Sequence, residues 1–136
     1  MELKGNSDDS GWIPSKNPYD LFLKATEYLD GDKVLLDTTP HDWDIESIIK
    51  YRSNDQDCIS ITMRGLRKAN AYLEMSIVFF NVFGVEGKLD KLKEIYKHSL
   101  DVSDLGFRMS LIDNETGEHC TISSQEIRVI PVRYID

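Results

Sequence analysis

The sequence predicts an α+β fold: a mostly antiparallel sheet of five to six strands with three helices packed on one face. Three observations lead there. Apolar residues recur at spacings of three and four over 17–30, 40–52 and 87–99, the period of a half-buried helix. Apolar and polar residues alternate over 58–65 and 105–112, and less regularly over 71–82 and 127–134, the period of a strand. The alternating segments are joined by short, turn-rich stretches that suit hairpins, with none of the regular strand–helix alternation of a parallel sheet.

The elements follow in order. Residues 1–16 are polar and rich in Gly, Ser and Asp, and read as a mobile N-terminal arm. Trp12 and Ile13 are the exception and are expected to dock on the body, leaving 17–136 as a single domain. Asn17-Pro18 supplies an N-cap and a favoured first helical residue, Leu21, Ala25, Tyr28 and Leu29 form the apolar stripe, and Gly31 ends the helix. Lys33–Asp37 reads as a short strand. Thr39-Pro40 opens a second helix whose first turns carry Asp42, Asp44 and Glu46, where negative charge complements the helix dipole. Trp43, Ile45, Ile48 and Ile49 continue its period, and 53–57 is a polar loop.

Ile59, Ile61 and Met63 alternate with Ser60, Thr62 and Arg64. Residues 71–82 read as a strand paired with 58–65 through a turn at 66–70, with a continuous helix over 66–82 as the competing assignment. Gly84 and Gly87 bracket a break. Leu89, Leu92, Ile95 and Tyr96 then share a helical face opposite a lysine-rich one. Leu105–Ile112 and His119–Ser123 flank the turn chemistry of Asp113–Gly117. The last strand contains Pro131, which donates no hydrogen bond and so predicts an edge or a bulge.

Composition narrows the function. The formal net charge is −8. It is unevenly spread: residues 1–57 hold thirteen acids against six bases (−7), 58–100 four against seven (+3), and 101–136 seven against three (−4). An acidic chain is a poor ligand for phosphate backbones, so no nucleic-acid partner is expected. The longest apolar stretch, Ile77–Val85, is broken by Asn81 and too short to span a bilayer. The polar start lacks the apolar run of a secretion signal, so the cytoplasm is the expected setting. Cys58 and Cys120 have no CxxC spacing and read as reduced, buried thiols.

Motifs of cofactor and catalytic chemistry are missing from the sequence. There is no GxGxxG, no GxxxxGK[ST] and no GxSxG, so no cofactor is expected. The three histidines, His41, His98 and His119, fall in no metal-ligand spacing, and the adjacent His119-Cys120 would point to opposite faces of a strand. The Asp-x-Asp pairs at 30/32, 42/44 and 55/57 are not followed by the glycine and terminal glutamate of a calcium loop, so no metal is expected either.

What remains is an acidic cluster around an aromatic: Asp42, Trp43, Asp44, Glu46, Asp55 and Asp57. Aromatics ringed by charge suit interface centres, although Trp43 equally suits the buried face of its helix. These six are the candidate partner-binding residues. The function expected from them is that of a small acidic inhibitor, of the bacterial immunity type, occluding a basic toxin or nuclease domain by electrostatic attraction. Two alternatives stand beside it: an enzyme without a short motif, using His119, Cys120 or a carboxylate pair, and a homodimeric accessory module joined through the edge of the last strand. The chain is expected as a monomer or a homodimer.

Overall fold

Long alternating segments dominate the architecture. The structure, a computed structural model, describes residues 11–15, 43–68 and 71–135. Within them lie seven strands: β1 Ile13–Pro14, β2 Trp43–Ser53, β3 Gln56–Lys68, β4 Ala71–Gly87, β5 Glu94–Ser103, β6 Gly106–Asp113 and β7 His119–Ile135. A three-residue 3-10 turn, Leu89–Lys91, joins β4 to β5. All pairings are antiparallel, in the order β1-β5-β2-β3-β4-β7-β6, and β5 also pairs with β6. The sheet therefore closes on itself as a six-stranded barrel, with β1 added along β5. The closing contact between β2 and β5 is short: Trp43 faces Ile95 and Asp44 faces Glu94.

The α+β expectation is thus corrected to all-β, with no α-helix among the described residues. The helix and strand expected over 17–30 and 33–37 lie outside those residues. The helix expected over 40–52 is strand from Trp43 onward. Its helical spacing comes from a β-bulge: the β2–β3 register slips between Ile45 and Ser47, leaving Glu46 as an extra residue. Inward-facing positions then run 43, 45, 48, 50, and the three-residue step imitates a helical turn. The loop at 53–57 is a two-residue hairpin, with Asn54 and Asp55 both at positive φ (54° and 63°), the geometry of a type I′ turn.

The helix expected over 87–99 fails for a related reason. Leu89, Leu92 and Ile95 are all buried, but the first spacing is that of a 3-10 turn, with three residues per turn, and the second spans entry into β5. Leu89 and Leu92 belong to the core, so the β4–β5 connection packs inward against the barrel. The strand assignment for 71–82 holds and the competing helix does not. The strands expected at 119–123 and 127–134 are one continuous element. Its register slips where Met75 faces Pro131 after Glu74 faces Arg133, so the bulge expected at the proline is present.

The barrel is filled by its own side chains. Ile61, Met63, Met75, Ile77, Phe79, Ile95, Met109, Leu111 and Ile122 are fully buried. Each contributes about 1.5–3 kcal/mol by leaving water. Two glycines are dictated by strand crossings. At Gly87 (φ +92°) a Cβ would stand 1.9 Å from the carbonyl oxygen of His119, and at Gly106 (φ +139°) 2.3 Å from that of Ser124. Outside the barrel, Trp12 stacks on Arg108 at 4.8 Å, and β1 pairs Ile13 with Val102 and Pro14 with Asp101. The docking is through backbone and Trp12, since Ile13 is 67% exposed.

One buried charge ties the strands to the connections at this end. Asp113 accepts hydrogen bonds at Oδ1 from the backbone N–H groups of Lys93 and Glu94. At Oδ2 it accepts from the N–H groups of Glu115 and Thr116 and from the Thr116 hydroxyl. Burial alone would push its pKa up. The donors from Lys93, Thr116 and Glu94 outweigh burial and hold the carboxyl well below the usual carboxylate range.

Candidate functional site

With the interior filled, a binding site has to lie in the wall or on the outside. Among the described residues the wall parts in two places. On the side away from β3, β2 has no partner strand over residues 47–53, beyond its short contact with β5, and β3 parts from β4. The second gap holds the candidate site. β3 and β4 pair from Lys68/Ala71 as far as Ile59/Phe79 and then separate. The cause is in β4: Asn81 adopts a left-handed φ of 54°, and the β4–β7 register slips between Val82 and Gly84, leaving Phe83 as an extra residue. A bulge bends its strand and sharpens the local twist. The second half of β4 accordingly follows β7, where Val85 faces Ile122 and Gly87 faces Cys120. Among the described residues, the other edge of Phe80–Gly87 has no partner strand.

The result is a slot of about 590 Å³ between the end of the β2–β3 hairpin and β4, lined by Lys50–Arg52, Asp57–Ile59 and Val82–Val85. Its lips are apolar and open to water: Tyr51 is 38% exposed, Phe83 47% and Val85 42%. Cys58, opposite Tyr51 in the ladder, is buried beneath the tyrosine. Partial burial first, and the Cys58 sulfur second, raise the Tyr51 pKa above its ordinary value.

Two cations enter this slot. Arg52 is committed, bonding the Asp57 carboxylate at 2.7 Å and the Asp55 carbonyl oxygen at 2.9 Å. Lys50 has no carboxylate partner among the described residues. It stands opposite Ile59 in the ladder, on the inward-facing row, and its charge acts on the Cys120 thiol inside the barrel. That thiol is inert: burial pushes its pKa up to about 11, with Lys50 opposing.

The residues expected to form a partner surface do not come together. Asp42 lies outside the described residues. Trp43 is buried in the core cluster beside Ile95. Asp44 and Glu46 sit near the start of β2, while Asp55 and Asp57 sit at the hairpin turn, about 25 Å away at strand rise. Two of the candidate carboxylates, Glu46 and Asp57, and some of the other acids are paired to arginine. Arg64 contacts Glu46 at 3.6 Å and Glu74 at 3.3 Å, and Arg108 bonds Asp101 at 2.8 Å. The described residues hold fourteen acids against twelve bases, a net −2, so most of the chain's charge of −8 lies elsewhere in the sequence.

His119 and Cys120 lie on opposite faces, as strand alternation requires. His119 lines a shallow outer groove of about 320 Å³ with Lys97, Ser99 and Ser110, while Cys120 is fully buried. The Ser110 and Thr121 hydroxyls bond each other at 3.0 Å, and Thr121 lies 3.4 Å from His119 Nε2, a cross-strand polar ladder. Among the described residues no three His, Cys, Asp or Glu side chains converge as a metal site. No helix among them is long and apolar enough to cross a membrane.

Lys50, Tyr51, Phe83 and Val85 were not singled out by the sequence reading. The available signal was Asn81 interrupting an apolar strand three residues before Gly84, a pattern that marks a bulge. Comparison with known proteins adds no identity: no family model, curated protein or solved structure matches this chain. The α+β fold expected with the immunity or toxin-inhibitor role is corrected to all-β, and no comparison supports that role.

Proposed function

We propose that this protein is a binding module that takes up a segment of another polypeptide along the parted wall between β3 and β4. The observation that supports it is the unpartnered edge of Phe80–Gly87, bordered by the exposed side chains of Tyr51, Phe83 and Val85. A free strand edge offers a row of N–H and C=O groups, and adding a strand is the direct way to satisfy them. Natural sheets blunt such edges with charge, proline or a bulge. This edge has the bulge at Phe83 and one charge, Glu86, but Val82-Phe83-Gly84-Val85 carries no charge and no proline and keeps Phe83 and Val85 exposed.

The acidic-surface alternative has less behind it, because its described residues are split between two ends of a hairpin and two of them, Glu46 and Asp57, are paired to arginine. An enzyme using His119 with Cys120 would need both on one face. The cytoplasmic setting belongs to the same proposal, supported by two buried free thiols.

The test is selection of a displayed random-peptide library against the full chain. Selected peptides should lose binding to a Phe83→Asp variant and keep it to Leu105→Asp, an equally exposed apolar site in the β5–β6 turn. Failure to enrich any peptide, or equal binding to both variants, refutes the proposal.

A further inference from the structure

We infer that the segment received by the slot is extended and acidic: it adds to the β4 edge as a strand and sets a carboxylate against Lys50. This rests on the reading above and specifies its ligand. Three observations carry it. The first is backbone geometry. Phe80–Gly87 stays paired with β7 on one side through a single slip at Phe83, so on either side of that bulge about every second residue directs its N–H and C=O into the slot. The second is charge. Arg52 is neutralised by Asp57 at 2.7 Å, which leaves Lys50 as the uncompensated charge of the slot. The third is placement. Lys50 stands opposite Ile59 in the ladder, on the same face, and lines the slot with its side chain exposed. A carboxylate on an added strand would find a cation already flanked by the apolar surfaces of Ile59, Val82 and Val85. A basic segment would meet Lys50 with like charge.

The experiment uses the library selected above. Selected peptides should carry Asp or Glu at one fixed position. Lys50→Ala should weaken them about 3- to 10-fold, and Lys50→Glu should weaken them further, in proportion to a partly exposed ion pair. Strand addition is read separately with two synthetic copies of the best peptide, N-methylated at alternate residues in the two possible phases. One phase should abolish binding and the other should leave it nearly intact. Peptides without an acidic preference, or binding indifferent to Lys50→Ala and Lys50→Glu, overturn this inference while leaving the binding-module reading in place. Equal tolerance of both N-methyl phases overturns strand addition. Light scattering that shows the unliganded chain as a dimer, dissociated by Phe83→Asp, overturns it in favour of a second copy as occupant.

Discussion

Replacing Asp113 should destabilise this barrel more than any exposed charge would. Its carboxylate accepts five hydrogen bonds, four from backbone N–H groups and one from the Thr116 hydroxyl. Removing it by Asp113→Ala strands all five donors. A donor left unsatisfied in the interior costs about 1–3 kcal/mol. The turn at 114–117 and Lys93 are exposed, so water can reach the Glu115, Thr116 and Lys93 groups in part, and the full penalty falls mainly on Glu94. The expected loss is about 3–5 kcal/mol for Asp113→Ala and about 2–3 kcal/mol for Asp113→Asn, which keeps one acceptor and turns an amide against the remaining donors. Chemical denaturation at neutral pH measures both, and the Asn variant serves if the Ala variant does not fold.

The effect has a defined pH dependence. The folded-state carboxyl ionises at lower pH than in the unfolded chain. Its stabilisation is therefore complete above about pH 5 and is lost as pH falls through the unfolded-state value, about 3.9, toward the folded-state one. The gap between wild type and Asp113→Ala should narrow from pH 5 downward. A variant within about 1 kcal/mol of wild type at neutral pH, or a gap unchanged at pH 3, would refute the reasoning.

Other perturbations follow from the same geometry. Gly87→Ala should destabilise by more than about 2 kcal/mol, because a Cβ would meet the His119 carbonyl, whereas Gly117→Ala, with open space around it, should lose only about 1 kcal/mol to its positive φ; thermal melts compare the two. Leu89→Ala in the β4–β5 connection should lose about 2–4 kcal/mol by emptying a buried site, again by denaturation. Arg64→Met should change stability by less than about 1 kcal/mol despite two carboxylate contacts, since those contacts are partly exposed. Cys120 should resist thiol reagents in the folded protein and react only on unfolding, read by labelling with and without denaturant.

How much of this was legible in the sequence depends on where alternation is intact. Ile59-Ile61-Met63 and Met75-Ile77-Phe79 alternate without interruption, and both strands, their pairing and their inward faces were readable from that pattern. Reading failed where a backbone irregularity changed the phase. Glu46, as a bulge residue, turned a period of two into a step of three and disguised β2 as a helix. The 3-10 turn at Leu89–Lys91 did the same before β5. In both places local spacing was measured correctly and assigned to the wrong element, because a bulge and a helical turn leave the same mark on a short window. The Asn54-Asp55 pair was the counter-evidence, since consecutive residues tolerant of positive φ favour a tight hairpin, and a hairpin there requires a strand before it.

The site was less legible for a physical reason. Its defining property is an absent neighbour: β3 and β4 part after Ile59 and Phe79, and no residue type announces which strand will lack a partner. The acidic cluster looked like a surface because its members are near in sequence. Trp43 went to the core, and the carboxylates went to opposite ends of β2 and to arginines that come from other strands or from across the hairpin. Charge counted along a chain is a guide to a field only after the fold has placed the counter-charges.

Amide hydrogen exchange along β4, read residue by residue, tests the parted wall most directly. Leu73–Phe79 is flanked by strands on both sides and should be protected throughout. In Phe80–Gly87 protection should fall to about every second amide, those bonded to β7, with the intervening ones exchanging rapidly. Uniform protection across Phe80–Gly87 would mean that this edge is already occupied and would contradict the account.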